Sequence, residues 1–194
     1  MHTYQVVLYI HLLALFVGIG AGAVLVLSLL QLRAAETLED AVPWGRIAGK
    51  VGRVFPVAIL GLFGSGAYMT TDAWTWSTGW IDVAIAGLVV LALQGPLVSE
   101  RYGKKAEHAL RENGPGPLGP HARRMARHPF LWMSELSALA LVFAIAWNMT
   151  QKPGTAGAVA AVVVGYLAGA ALALPFARLP VEERAPLAEP AAGP

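Results

Sequence analysis

Five long apolar runs constrain this chain more than any other feature of its sequence. They are Val6 to Leu32, Val54 to Met69, Ile81 to Val98, Phe130 to Trp147 and Thr155 to Phe176. A helix needs about 20 apolar residues to cross the roughly 30 Å hydrocarbon core of a bilayer. Only 13% of the residues are charged, against about 25% in a soluble domain. The sequence therefore predicts an all-α membrane protein, a bundle of five transmembrane helices in contact with the lipid bilayer.

The basic side chains between these runs predict the orientation of the bundle. Of the 14 Lys and Arg residues, only Lys152 lies on one predicted side, and the others lie in segments 33–53, 101–127 and 178–184. Cytoplasmic loops carry the excess of Lys and Arg, and tryptophans favour the headgroup level. We therefore expect the N-terminus and the loop with Trp74, Trp76 and Trp80 outside, and the C-terminus in the cytoplasm of a multi-pass plasma-membrane protein.

The chain divides into a predicted transmembrane domain, residues 1–178, and a cytoplasmic tail, residues 179–194. The tail is rich in Pro, Ala and Glu, a composition that cannot bury a core, so we expect it to be disordered. Residues 44–53 are expected to extend the second span as an interfacial helical turn. The segment GPGPLGP, 114–120, is expected to be a stiff break before a short basic helix in 121–129. We expect that helix to lie on the anionic leaflet; alternatively, its charges only determine the orientation of the protein in the membrane.

Several familiar chemistries are excluded by the sequence. It contains no Walker loop, no Rossmann glycine fingerprint, no zinc-protease histidine pair and no nucleophile elbow. With no cysteine, it forms neither a disulfide nor a thiolate metal site. The basic residues are split between short loops, so nucleic-acid binding is not expected. Whether the protein is an enzyme stays open.

Ionisable groups inside the spans are the functional candidates, because a charge in the bilayer is costly unless it is paired or hydrated. His11 lies about two turns from the outer end of the first span, Asp82 at the outer mouth of the third, and Glu135 in the opposite leaflet. Each also has a structural interpretation. His11 hydrogen-bonds a neighbouring helix or reaches the interface, Asp82 begins a helix, and Glu135 is satisfied by adjacent serines.

His11 has predicted neighbours that suit a metal or a cofactor. Met69 and Met149 end two other spans at its height, as possible thioether ligands or as ordinary packing residues. On an ideal helix His11 shares one face with Gly18 and Gly22, which predicts a groove for a flat hydrophobic cofactor. Neutral imidazole is a frequent ligand of haem iron. Pairs of small residues spaced four apart predict close helix contacts: Gly18/Gly22, Gly45/Gly49, Gly61/Ser65 and Gly165/Gly169.

Two short motifs carry a family resemblance. His11 is followed by LLALFVGI and Gly20, and the second span contains LFGSGAYM, Leu62 to Met69. In these motifs the chain resembles the CopD copper-resistance family, the HemJ-type protoporphyrinogen oxidases and, best, a family of uncharacterised bacterial integral membrane proteins. The resemblance implies the bacterial inner membrane, His11 as an axial ligand of b-type haem, and copper handling as an alternative.

These observations leave three hypotheses. The first is a haem b protein of electron transfer or of an oxidoreductase complex, with His11 as ligand and Met69 or Met149 as the second ligand. The second is copper handling by Met1, His2, His11, Met69 and Met149, because thioether and imidazole ligands suit Cu(I). The third is a noncatalytic subunit or assembly factor, which would have other membrane subunits or further copies of itself as partners.

Overall fold

A computed structural model of the chain describes residues 2–177, which form helices and short connections without a strand. Five helical stretches in this part of the chain are long and apolar enough to span a membrane. They are Thr3–Ala34, Leu38–Ala73, Gly79–Asn113, Pro120–Gln151 and Thr155–Phe176. The predicted all-α fold with five spanning helices is confirmed. The predicted tail, residues 179–194, lies outside the described residues, as do Met1 and the side chain of His2.

The described residues contain nine α-helices and one π-helical segment. The helices are α1 His2–Ala34, α2 Leu38–Gly52, α3 Val54–Ala73, α4 Gly79–Gln94, α5 Arg101–Asn113, α6 Pro120–Ala126, α7 Pro129–Gln151, α8 Thr155–Leu172 and α9 Leu174–Ala177. The π-helical segment, Gly95–Glu100, joins α4 to α5 and contains Pro96, which has no amide proton to donate. One helical path therefore runs from Gly79 to Asn113.

The two ends of the bundle differ in composition. We call the end with Trp74, Trp76 and Trp80 the aromatic end, and the opposite end, formed by α2, α5 and α6, the basic end. Helices α1 and α4 run from the aromatic to the basic end, and α3 and α7 run back. Which end faces the cytoplasm stays a prediction.

Two backbone hydrogen bonds join the two connecting loops at the basic end. The backbone N–H of Leu38 donates to the carbonyl of Gly116 at 2.9 Å, and that of Leu118 donates to Glu36 at 2.8 Å. Gly116 has φ +98°, a conformation that side chains other than glycine rarely adopt. A buried apolar cluster lies beneath these bonds: Leu32, Ala35, Ala41, Leu110, Leu118, Ala122 and Ala126. The segment 114–120 breaks the helical path, as the sequence predicts, and its backbone is also hydrogen-bonded to Glu36 and Leu38.

Helix lengths at this end also differ from the prediction. Helix α2 spans 15 residues, Leu38–Gly52, and begins at the N-cap Thr37, whose side chain accepts from the Asp40 amide at 3.2 Å. It is longer than the predicted interfacial turn because this cap and Leu38 start the helix six residues before Trp44. The short basic helix is confirmed as α6, Pro120–Ala126.

Small residues set the closest helix contacts. A Cβ on Gly165 of α8 would lie 2.8 Å from the Cβ of Ala144, and one on Gly169 would overlap the Leu136 carbonyl of α7. The predicted contact at this pair is confirmed. The prediction for Gly45 and Gly49 is wrong, because a Cβ there meets nothing within 4 Å among the described residues.

Candidate functional site

Close packing of α1 against α3 places His11 inside the bundle. A Cβ on Gly61 would lie 3.1 Å from the Cβ of Ala14, and one on Gly18 would lie 3.6 Å from that of Ala58. Five residues beyond Gly61 along α3, the backbone of Gly66 leaves room for the imidazole, whose Cε1 would be 3.5 Å from an added Cβ. The imidazole therefore fits into the seam between the two helices, and His11 is only 4% exposed.

Ser65 orients this imidazole and assigns a proton to Nδ1. The hydroxyl of Ser65 donates to the carbonyl of Gly61 at 2.5 Å, one turn earlier on α3. Its oxygen lies 2.9 Å from Nδ1 of His11. Because the hydroxyl proton is used within α3, Nδ1–H is the donor and Ser65 Oγ is the acceptor. The buried, apolar surrounding favours the neutral imidazole, and in the neutral form with the proton on Nδ1 the lone pair lies on Nε2.

The lone pair on Nε2 is buried and has no hydrogen-bond partner among the described residues. His11 also lines a cavity of about 30 Å³ between α1, α3, α4 and α7. The lining residues are His11, Leu15, Leu62, Leu88, Leu91, Val142, Ile145, Ala146 and Met149. Apart from the imidazole and the Met149 thioether, these side chains are hydrocarbon.

The cavity has room for a single small occupant. A water molecule needs roughly 10–15 Å³ of such volume, but it also needs about two to four polar partners, and the lining side chains offer only the imidazole and a thioether. Pockets for small organic molecules measure about 300–1,000 Å³. The cavity that His11 lines is therefore much smaller than a haem and comparable in size to a single ion.

The predicted cofactor groove along α1 is filled by neighbouring helices. Gly18 packs against Ala58 of α3, and a Cβ on Gly22 would lie 3.3 Å from Leu139 of α7. The two glycines thus serve helix contact. Of the two predicted methionine ligands, Met149 shares the cavity with His11, and Met69 is not on its lining.

The other predicted polar residues lie away from this cavity. Asp82 is exposed in the first turn of α4, where its charge complements the positive end of the helix dipole. Glu135 lies on α7 towards the basic end, and its carboxylate interacts with the Ser99 hydroxyl. The structure brings neither residue to His11.

A second buried polar residue, Gln94, is not among the candidates predicted from the sequence. Its side chain reaches from α4 to α7, where Nε2 lies 2.7 Å from the Ser134 carbonyl, 3.0 Å from the Ser134 hydroxyl and 3.2 Å from that of Ser137. Its Oε1 accepts from the Tyr166 hydroxyl at 3.3 Å. The signal was present, because Gln94 interrupts the third apolar run as His11 interrupts the first. The amide of Gln94 carries no charge, so a criterion that selects ionisable side chains does not select it.

Comparison of the chain with protein families, with curated proteins and with solved structures finds no match. The resemblance to the CopD and HemJ-type families stays a prediction. Apolar side chains such as Phe16, Leu60 and Val164 are exposed on the outside of the bundle, as contact with a bilayer requires. The membrane subunits or further copies of the chain stay predicted partners.

Proposed function

We propose that this protein binds one soft metal ion, Cu(I), between His11 and Met149 inside the bundle, and that it handles copper in the membrane. The observation that carries the proposal is the buried Nε2 without a hydrogen-bond partner among residues 2–177, on a histidine that lines an ion-sized cavity together with Met149. An unsatisfied buried acceptor costs about 1–3 kcal/mol. A metal ion removes that cost by accepting the lone pair.

The ligand types favour a soft ion. Imidazole nitrogen and thioether sulfur suit Cu(I), whereas Mg²⁺ and Ca²⁺ prefer carboxylate and carbonyl oxygens. No group of three or more His, Cys, Asp or Glu side chains among residues 2–177 is arranged to hold a metal ion. The hydrocarbon lining also disfavours an ion that keeps its water. A monovalent ion brings the least charge into this apolar surrounding.

The Ser65 hydrogen bond supports the same proposal. Histidines that bind metals almost always donate their other ring N–H to an acceptor, which fixes the tautomer and the orientation of the ring. Here Nδ1–H donates to Ser65 at 2.9 Å, and Ser65 is itself held by Gly61. The imidazole is therefore oriented before any ion arrives.

Haem b, which the family resemblance implies, needs a different arrangement of the helices. A haem would supply redox chemistry, but the cavity that His11 lines is about 30 Å³, and the predicted groove along α1 is filled. His11 is also too buried for a haem outside the bundle to reach its ring. The described bundle therefore favours the copper alternative.

Titration of the purified, metal-free protein with Ag(I) tests the proposal, because Ag(I) is a soft monovalent ion that needs no reductant. We expect calorimetry to show one ion per chain. In His11→Ala the affinity falls by at least about 100-fold, equivalent to about 2.7 kcal/mol. Met149→Leu, which conserves volume, weakens binding by about 10-fold, or about 1.4 kcal/mol.

Met69→Leu is the matched control, because it makes the same change at a methionine outside the cavity lining. We expect its affinity to equal that of the parent protein. Absence of binding to the parent protein overturns the proposal, as does equal weakening by the two methionine variants. A Soret band in the purified protein that is lost in His11→Ala would replace copper with haem.

A further inference from the structure

Glu135 is the one ionisable side chain in Pro129–Gln151, the residues of α7. It lies six residues after the first residue of the helix, or about 9 Å along it at about 1.5 Å per residue. The side chain is half-buried. A charge inside a bilayer is costly unless it is paired or hydrated, and ionisable residues in spans are functional candidates by default. The proposed copper site does not use Glu135, because this residue is not on the lining of the His11 cavity.

The fold gives the Glu135 carboxylate no opposite charge. No ion pair between residues 2 and 177 includes it. Glu100, in the π-helical segment, is paired with Lys104 at 2.5 Å, and Arg33 of α1 donates to the Phe176 carbonyl. Helices α8 and α9 contain no charged side chain. Titratable side chains on or beside the elements that pack against α7 also include Tyr166, Arg101, Tyr102, His128 and, in the other half of the bundle, His11 and Asp82.

A neutral group reaches the carboxylate instead, the hydroxyl of Ser99 in the π-helical segment. In a regular α-helix, Ser99 would be turned by about 140° from Gln94, five residues earlier. The hydrogen bonds of a π-helix join residues five apart, and such segments are frequent at functional sites. Here the side chains of Gln94 and Ser99 both reach the Ser134 hydroxyl, each at 3.0 Å. The π-helical segment therefore brings Ser99 to the face of α7 that carries Ser134 and Glu135.

The hydrogen bonds of this cluster run in one direction. The Tyr166 hydroxyl donates to Oε1 of Gln94 at 3.3 Å, and Nε2 of Gln94 donates to the Ser134 hydroxyl at 3.0 Å. Because Ser134 Oγ accepts from Gln94, its own proton is available to Ser99 Oγ, 3.0 Å away. The Ser99 proton is then directed to Glu135. Each donor in this chain points towards the carboxylate, and each bond polarises the next.

Two opposing effects therefore act on Glu135. The chain of donors favours the charged carboxylate, because hydrogen bonds to the charged form stabilise it. The apolar span and the absence of an ion pair among residues 2–177 favour the neutral acid. Both forms fit the same geometry, since the carbonyl oxygen of a protonated carboxyl group also accepts from Ser99.

From this arrangement we propose that Glu135 is a proton-binding site, at which one carboxyl group takes up and releases a proton with water at the basic end. Uptake forms one O–H bond on the carboxylate, removes its negative charge and needs no other reactant. Carboxyl groups in spans form proton relays in membrane pumps and transporters. The inference does not rest on the proposed copper site, which lies in the other half of the bundle.

Labelling of the full chain with dicyclohexylcarbodiimide, an apolar reagent for protonated carboxyl groups, tests the inference. The acid O–H adds across a C=N bond of the reagent, and the adduct rearranges to a stable N-acylurea without a leaving group. We expect mass spectrometry to find one adduct, at Glu135, that forms more slowly as the pH rises. Glu135→Gln removes the adduct. Glu100→Gln, the same change at an exposed, ion-paired carboxylate, is the matched control and keeps it.

A pair of serine variants tests the chain of donors. Ser99→Ala removes the hydroxyl that supports the charged form, so we expect the midpoint of the labelling profile to move up by about one pH unit, a tenfold change in proton affinity. Ser137→Ala is the control. Its hydroxyl lies 3.2 Å from Nε2 of Gln94 but is not on the path from Gln94 to Glu135, and its midpoint stays that of the parent protein.

The parent protein alone decides the main claim. A chain without an adduct at Glu135 overturns the inference, as does a labelling rate that stays constant over the pH range in which the protein is folded. Equal labelling of Glu100 and Glu135 overturns it too, because Glu135 would then be an ordinary surface carboxylate. Equal midpoints for Ser99→Ala and Ser137→Ala would remove the chain of donors from the inference.

Discussion

His11 and Gln94 are both buried polar side chains in apolar runs, but they differ in how many of their polar atoms form hydrogen bonds. Gln94 uses both ends of its amide, with Nε2 donating to Ser134 and Oε1 accepting from Tyr166 at 3.3 Å. His11 uses one nitrogen, and its Nε2 has no partner in residues 2–177. Both residues are buried, at 4% and 8% exposure.

The difference separates a structural polar group from a binding group. In hydrocarbon, a fully hydrogen-bonded side chain fastens one helix to another and fixes their register. A side chain with one bond made and one lone pair unused is oriented but incomplete. Polar residues inside a membrane span are functional candidates by default. Gln94 has hydrogen bonds at both ends of its amide, whereas one nitrogen of His11 has no partner among residues 2–177, so His11 is the better candidate for binding.

Among the changes that test this comparison, Ser65→Ala has the largest expected effect, which is on metal affinity. The substitution removes the acceptor of Nδ1–H, so the ring loses its fixed tautomer and orientation. Loss of such a supporting bond weakens metal binding by about 10- to 100-fold. Calorimetric titration of the metal-free variant with Ag(I) measures this.

Ser137→Ala makes the same change beside Gln94, where its hydroxyl lies 3.2 Å from the amide nitrogen. We expect Ag(I) affinity there to equal that of the parent protein. If both serine variants weaken binding alike, the two polar groups do not differ in the way that their hydrogen bonds indicate.

The next effect is on stability and concerns Gln94→Leu. The variant leaves the Tyr166 hydroxyl without its acceptor and removes the bonds from α4 to Ser134. Buried polar contacts in membrane proteins contribute about 0.6 kcal/mol each and up to about 1.7. We expect a loss of about 1–2 kcal/mol in the free energy of unfolding, measured by reversible unfolding in mixed detergent micelles. Unchanged stability would show that Gln94 does not fasten α4 to α7.

The sequence predicts the spans well because hydrophobic length alone determines them. Each of the five apolar runs lies within one helical stretch of the structure. Helix contacts are predicted less reliably. Gly165 and Gly169 meet α7, whereas Gly45 and Gly49 meet no partner among residues 2–177, because the spacing of small residues says nothing about which face has a partner.

The candidate site is predictable only in part. Its central residue, His11, stands out in the sequence because an imidazole is rare in an apolar span. Its partners depend on the rotation of three other helices, so Ser65 is found only in the structure. The same rotation selects Met149 over Met69 for the cavity lining, although the two are equivalent in height along the bundle.

The smallest expected effect, and the one with the opposite sign, is that of His11→Leu on the metal-free protein. Leucine removes the unsatisfied Nε2, and Ser65 keeps its own bond to Gly61 at 2.5 Å. An unpaired buried acceptor costs about 1–3 kcal/mol, and the lost Nδ1 bond contributed about 0.5–1.5 kcal/mol. We therefore expect the variant to be more stable by about 1 kcal/mol in the same micelle unfolding measurement. With Ag(I) in excess the order reverses, because only the parent protein gains stability from binding, by about 2.7 kcal/mol at 100 times the dissociation constant. A less stable His11→Leu variant without metal would make His11 a structural residue like Gln94.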